Sequence, residues 1–186
     1  MGDDDTPGGS DGPGLRIPVG APGVGRPSTG PPGPASGPAA TSDPAPVASM
    51  YQVVGGQPFF DELARRFYDR VRDDEVLLSL YPDPDDLGPA AERLSLFLAQ
   101  YWGGPTTYSD RRGHPRLRMR HAPYRIDLGA RDRWLDAMTA ALSATLRGDT
   151  DTTTATDLDD ADLVVVERQF LDYFTMAADH LVNATD

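Results

Sequence analysis

Between Phe60 and Val71 the chain commits itself to one helical face. Phe60, Leu63, Ala64, Phe67, Tyr68 and Val71 recur at i, i+3, i+4, i+7, i+8 and i+11, and Asp61, Glu62, Arg65, Arg66, Asp69 and Arg70 take the opposite side. A stripe of that period is satisfied only by an amphipathic α-helix laid against other apolar surface. The remaining chain offers more helices to lie against and no convincing strand. A short apolar piece runs from Val76 to Tyr81 and ends at Pro82 and Pro84. A second long helix starts near Asp86 or Pro89, carries Ala90, Leu94, Phe97, Leu98 and Tyr101 on one face, and stops at Gly103-Gly104-Pro105. From Thr106 to Pro115 no period is found, which predicts a loop. A third long helix spans Leu128 to Leu146 with Trp134, Leu135, Met138 and Leu142 inward, and Gly148 as its stop. The last runs from about Asp159 to Val182, with Leu163, Val166, Phe170, Phe174, Ala177 and Leu181 inward and Tyr173 and Met176 on its flank. The pattern predicts an all-α fold of four substantial helices.

The amino-terminal segment stands apart. Eleven of the 18 prolines and eleven of the 19 glycines fall before residue 49. So little large apolar surface cannot offset the entropy of ordering, and residues 1–48 are expected to form a disordered Pro/Gly-rich extension. A globular domain is expected over 49–186, long enough for one buried core. The Thr- and Asp-rich stretch at 148–157 reads as an exposed loop.

Charge and composition narrow the function. A net charge of −12 opposes binding to a phosphate backbone, so no nucleic-acid partner is expected. Cysteine is absent, which rules out disulfides and thiolate metal sites. No apolar run approaches the roughly 20 residues of a membrane helix, so no stable membrane insertion is expected. The start, Met-Gly-Asp-Asp-Asp, has no apolar signal core, and a cytoplasmic location is the default expectation. All 17 basic residues are arginine.

One segment invites chemistry. Arg116-Leu-Arg-Met-Arg-His-Ala-Pro-Tyr-Arg125 sets His121 in a short apolar rhythm between arginines, with room for about two helical turns between Pro115 and Pro123. A neutral imidazole is a common iron ligand, and arginines beside it suit an anionic cofactor such as haem. The same residues also read as a basic, solvated loop whose histidine merely packs. A helix so short is marginal alone, because nucleation is costly, and a bound cofactor is one way to fix it. Tyr68, Tyr81 and Trp134 fall on core-facing positions, and each brings a donor that needs a partner when buried. They read either as ordinary core residues or as the lining of a ligand pocket.

From Met50 onward the chain resembles a truncated, two-over-two haemoglobin of group II, the O type. The likeness rests on Val54-Gly-Gly56, Arg66-Phe-Tyr68, Asp74-Glu-Val-Leu77, Leu80-Tyr-Pro82, Glu92-Arg-Leu94 with Phe97-Leu98, and Gln100-Tyr-Trp-Gly-Gly-Pro105. It continues through Gly113-His-Pro-Arg-Leu-Arg-Met-Arg-His-Ala-Pro123 and Asp132-Arg-Trp-Leu135. It covers about three quarters of the chain and leaves out the extension and the Thr/Asp-rich loop.

The resemblance implies a globin-like two-over-two helical sandwich holding haem b. His121 matches the proximal iron ligand, with its other ring nitrogen donating to a backbone carbonyl. His114 matches a position that does not ligate. Tyr68, Tyr81 and Trp134 match the polar residues of the distal side, and Ala90 stands where other globins place a distal histidine. Leu94 and Phe97 would wall that side, Met119 and Ile126 the proximal side. Arg93, Tyr108 and Arg120 would pair with the haem propionates. Dioxygen, nitric oxide, carbon monoxide or peroxide are the expected small ligands. Three donors favour tight retention of dioxygen over oxygen transport in bulk. Oxidation of nitric oxide or reaction with peroxide would need electrons from an external reductase. Such proteins often dimerise, so a homodimer is expected. The competing reading is a haem-free, globin-like interaction or regulatory module.

Overall fold

Helix begins at Ser49. Its hydroxyl accepts from the Gln52 amide at 3.4 Å, and the Gln52 side chain accepts from the Ser49 amide at 2.9 Å. This reciprocal capping box opens α1, Met50–Val53. The structure, a computed structural model, describes residues 48–148 and 158–185. The extension expected before residue 48 and most of the expected 148–157 loop lie outside the described residues.

Seven more helices follow: α2 Gln57–Asp73, α3 Glu75–Leu78, α4 Gly88–Tyr101, α5 Thr107–Arg112, α6 Leu117–His121, α7 Leu128–Leu146 and α8 Asp160–Leu181. No strand occurs among the described residues. Aspartates set three of the starts. Asp74 caps α3 by accepting from the amides of Val76 at 3.0 Å and Leu77 at 3.1 Å. Asp127 caps α7 through the Ala130 amide, and Asp159 caps α8 through the Asp162 amide, both at 2.9 Å. Asp74 also receives Arg133 Nη1 at 3.0 Å, which ties the start of α3 to α7.

The fold is the two-over-two sandwich: α2 packs on α4 and on α7, and α7 packs on α8. The whole stripe of α2 is buried, Phe60, Leu63, Ala64, Phe67, Tyr68 and Val71 alike, and Phe59 joins it. Phe59 meets Phe60 edge-on at 5.2 Å and Phe170 of α8 at 5.6 Å, and Phe170 meets Phe174 at 5.9 Å. Met138 and Leu142 of α7 close the centre, both fully buried. Each such side chain contributes about 1.5 to 3 kcal/mol of burial free energy.

Two expectations are corrected. The segment read as a loop from Thr106 to Pro115 contains α5. Six residues are too few to show a period, and α5 is held by tertiary bonds. Gln100 Nε2 donates to Ser109 Oγ at 2.7 Å, the Ser109 amide donates to Gln100 Oε1 at 2.9 Å, and Arg111 pairs with Glu92 at 2.8 Å. On α8, Tyr173 is buried instead of flanking, because its ring stacks on Tyr101 at 4.0 Å. Met176 remains 57% exposed.

Candidate functional site

The polar aromatics expected from the sequence are brought together by the α2 stripe. Tyr68, 8% exposed, lies edge-on to Tyr81 with ring centroids 5.4 Å apart. On its other side Phe67 touches Tyr68 at 5.0 Å and Trp134 of α7 at 5.4 Å. Tyr81, Tyr68 and Trp134 thus form one run of rings bridged by Phe67. The two phenols are close enough to affect each other's ionisation.

Burial pushes the Tyr68 phenol up, while the neighbouring Tyr81 and the nearby Arg93 charge pull it partly back. Tyr81 is pushed well up, by burial first and then by the adjacent Tyr68. Each phenol keeps an O–H donor. Both phenols are protonated at neutral pH. Arg93, half-buried on α4, acts electrostatically on both.

Ala90, on the same helix, is buried, and Leu94 and Phe97 are half-buried. Phe97 meets the buried Tyr108 of α5 edge-on at 5.5 Å. The Gln100 clamp on Ser109 therefore also fixes Tyr108.

The histidine segment forms a helix of five residues with no buried side chain. His121 is half-buried, and its Nδ1 lies 2.8 Å from the Leu117 carbonyl oxygen. A carbonyl only accepts, so Nδ1 carries a proton and Nε2 is the ring nitrogen left to meet a metal. Nε2 makes no hydrogen bond among the described residues. His114 is exposed, and its Nδ1 accepts from the Arg116 amide at 3.3 Å. Met119 stands 66% exposed, and Ile126 is half-buried. Arg120 is engaged: Nε donates to the Pro115 carbonyl and Nη2 to the Arg112 carbonyl, both at 2.8 Å. Three of its five N–H donors remain for another acceptor.

These residues fit haem. The donor set holds an imidazole with a free nitrogen, apolar side chains that protein only half covers, arginine donors, and phenols held protonated. Two residues that shape the site had no role assigned from the sequence. Gln100 entered only as the first residue of the Gln100–Pro105 run, and Asn183 reads as an ordinary polar residue just past a helix end.

A family model described as bacterial-like globin matches residues 49–162, and the chain belongs to that family. Its relatives put it among the group 2 truncated haemoglobins. A group 2 truncated hemoglobin of Lotus japonicus is 33% identical over 138 residues, covering 73% of this chain and 76% of the relative. Among solved structures, a thermostable hemoglobin from the actinobacterium Thermobifida fusca is 50% identical, with a TM-score of 0.63 and coverage of 74% of this chain and 98% of that one. A truncated oxygen-avid haemoglobin from Bacillus subtilis is 28% identical, with a TM-score of 0.60 over 73% of this chain and 100% of that one. Membership implies haem as the cofactor and a small diatomic molecule as its ligand. No described helix is long and apolar enough to cross a membrane.

Proposed function

We propose that residues 49–186 form a cytoplasmic haem b domain that holds dioxygen tightly, with His121 Nε2 as the iron's protein ligand. The haem supplies an iron with one open position where a diatomic gas binds. The chain's residues determine how firmly the gas stays. The observation carrying this reading is the run of rings in which the protonated phenols of Tyr68 and Tyr81 lie edge-on 5.4 Å apart, with Phe67 bridging Tyr68 to Trp134. A ligand that gains negative character on binding would be stabilised by a phenol O–H of that pair, with the indole N–H of Trp134 as a further donor. Leu94 and Phe97 would wall the distal side of a bound haem, and Met119 and Ile126 its proximal side. Arg93, Tyr108 and the spare donors of Arg120 meet the propionates. The oxygen-avid relative from Bacillus subtilis supports the same reading. Oxidation of nitric oxide or reduction of peroxide are activities of the same pocket, with electrons from an external reductase, and the assembly is a homodimer.

The test is the dioxygen dissociation rate, measured by stopped flow on wild type, Tyr68→Phe and Tyr81→Phe. Losing one hydrogen bond to a polar ligand costs about 1.4 kcal/mol, or a factor of about ten. At least one of Tyr68→Phe and Tyr81→Phe is expected to release dioxygen about tenfold faster. Equal rates in all three proteins would contradict the proposal.

A further inference from the structure

The helix that carries His121 has little to hold it. It is five residues long, buries no side chain, and starts at Arg116, whose φ of 41° lies in the left-handed region and whose side chain makes no capping bond. A single turn cannot sustain itself at that length. Arg120 ties the helix to what precedes it, by one bond to the end of α5 at Arg112 and one to Pro115. Its carboxy-terminal side is held from the other end of the chain.

Asn183 lies two residues beyond the end of α8 and outside the residues matched by the family model. Its side chain uses both of its N–H donors and one lone pair of its oxygen. Oδ1 accepts from the Ile126 amide at 3.0 Å, and Nδ2 donates to the carbonyls of Tyr124 at 2.9 Å and His121 at 3.3 Å. One N–H on one side and two carbonyls on the other fix the orientation of the amide. The main chain joins in, with the Asn183 and Ala184 amides donating to the Ile126 carbonyl at 2.9 and 3.1 Å. Arg125 reaches forward to the Thr185 carbonyl at 3.0 Å.

His121 is therefore pinned at two points. Its ring is fixed by the Leu117 carbonyl. Its own carbonyl, which a helix end would leave unpaired, accepts from the Tyr124 amide at 3.0 Å and from Asn183. Fixing the carbonyl fixes the direction of the Cα–Cβ bond. Fixing Nδ1 then sets the ring about that bond.

We propose that Asn183 is a positioning residue that sets the His121 imidazole, and through it the histidine–iron bond, by latching the 121–126 segment to the chain after α8. The proposal rests on His121 being the iron ligand. Small displacements of a ligating group matter, since a misplacement of about 1 Å is enough to change reactivity by orders of magnitude. Asn183 touches neither cofactor nor ligand. It acts through backbone.

The experiment uses the haem-loaded full chain and compares wild type with Asn183→Ala and Asn183→Asp. The aspartate keeps an acceptor for the Ile126 amide and removes both donations, so it singles out the bonds to His121 and Tyr124. Resonance Raman of the ferrous protein reads the iron–histidine stretch directly, and haem transfer to an acceptor globin reads retention. The expected result is a displaced or broadened iron–histidine band in both variants. Haem loss should be about tenfold faster, with the helical content of wild type retained. An unmoved band in both variants overturns the proposal, even if one of them is less stable to denaturant, because that is the mark of a merely structural role. A wild-type protein with no iron–histidine band shows instead that the assignment of His121 has failed.

Discussion

At the scale of single residues, Gly104 carries a constraint that its neighbour does not. In the sequence, Gly103-Gly104-Pro105 is a helix stop, and Gly103, with φ of 92°, does that work. Gly104 has a different task. A Cβ there would lie 2.5 Å from the Tyr51 ring and 2.8 Å from the Ala99 carbonyl oxygen. The ring can move, but the carbonyl belongs to α4 and cannot move without cost. Gly104→Ala is therefore expected to lower stability by roughly 1 to 3 kcal/mol, measured by urea unfolding. A change within about 0.5 kcal/mol, the usual range for an uninvolved surface position, would contradict that packing. No sequence signal separates the two glycines, because the obstacles at Gly104, the Tyr51 ring and the Ala99 carbonyl that accepts its own amide, are set by the folded backbone.

Among the elements, legibility followed length. The stripe on α2 and the period of α7 define those helices almost to the residue, since many positions repeat the same message. The short helices α5 and α6 repeat nothing. What fixes α5 is Gln100, nine residues before its partner Ser109. Gln100→Ala removes both bonds and leaves the Ser109 amide without that acceptor. Amide hydrogen exchange across 107–112 is expected to accelerate by about tenfold or more, as the loss of a local stabilisation of about 1 to 2 kcal/mol requires. Exchange in α4 upstream of Gln100 should be unchanged. Uniform acceleration of both helices would mean that α5 is not held locally.

For the molecule as a whole, the fold resolves four long helices around one aromatic core, and the core was legible except where rings from different helices meet. Tyr173 is the instructive case. Its position on α8 suggests a flank, yet stacking on Tyr101 and contact with Phe174 bury it. Burial raises the phenols of Tyr68, Tyr81 and Tyr173 above the ordinary value of about 10. Below pH 10 they are neutral in folded and unfolded chains alike and leave stability independent of pH. Above pH 10 the unfolded chain ionises first and binds fewer protons than the folded one. Stability should then fall as pH rises towards the raised values. Unfolding free energy measured from pH 8 to 11.5 is expected to be flat and then decline, with a shallower decline in Tyr173→Phe. A decline of equal slope in that variant would show that Tyr173 titrates as an exposed phenol.

Of the three histidines, the proposed function gives the iron to His121 alone. Visible absorption separates it from His114 in wild type, His121→Ala and His114→Ala, each reconstituted with haem, reduced and exposed to carbon monoxide. Wild type and His114→Ala should show an intense Soret band that shifts sharply with carbon monoxide, because His114 only accepts a backbone amide. His121→Ala should lose the haem on gel filtration. Haem retained unchanged by His121→Ala, or lost equally from both variants, would contradict the assignment.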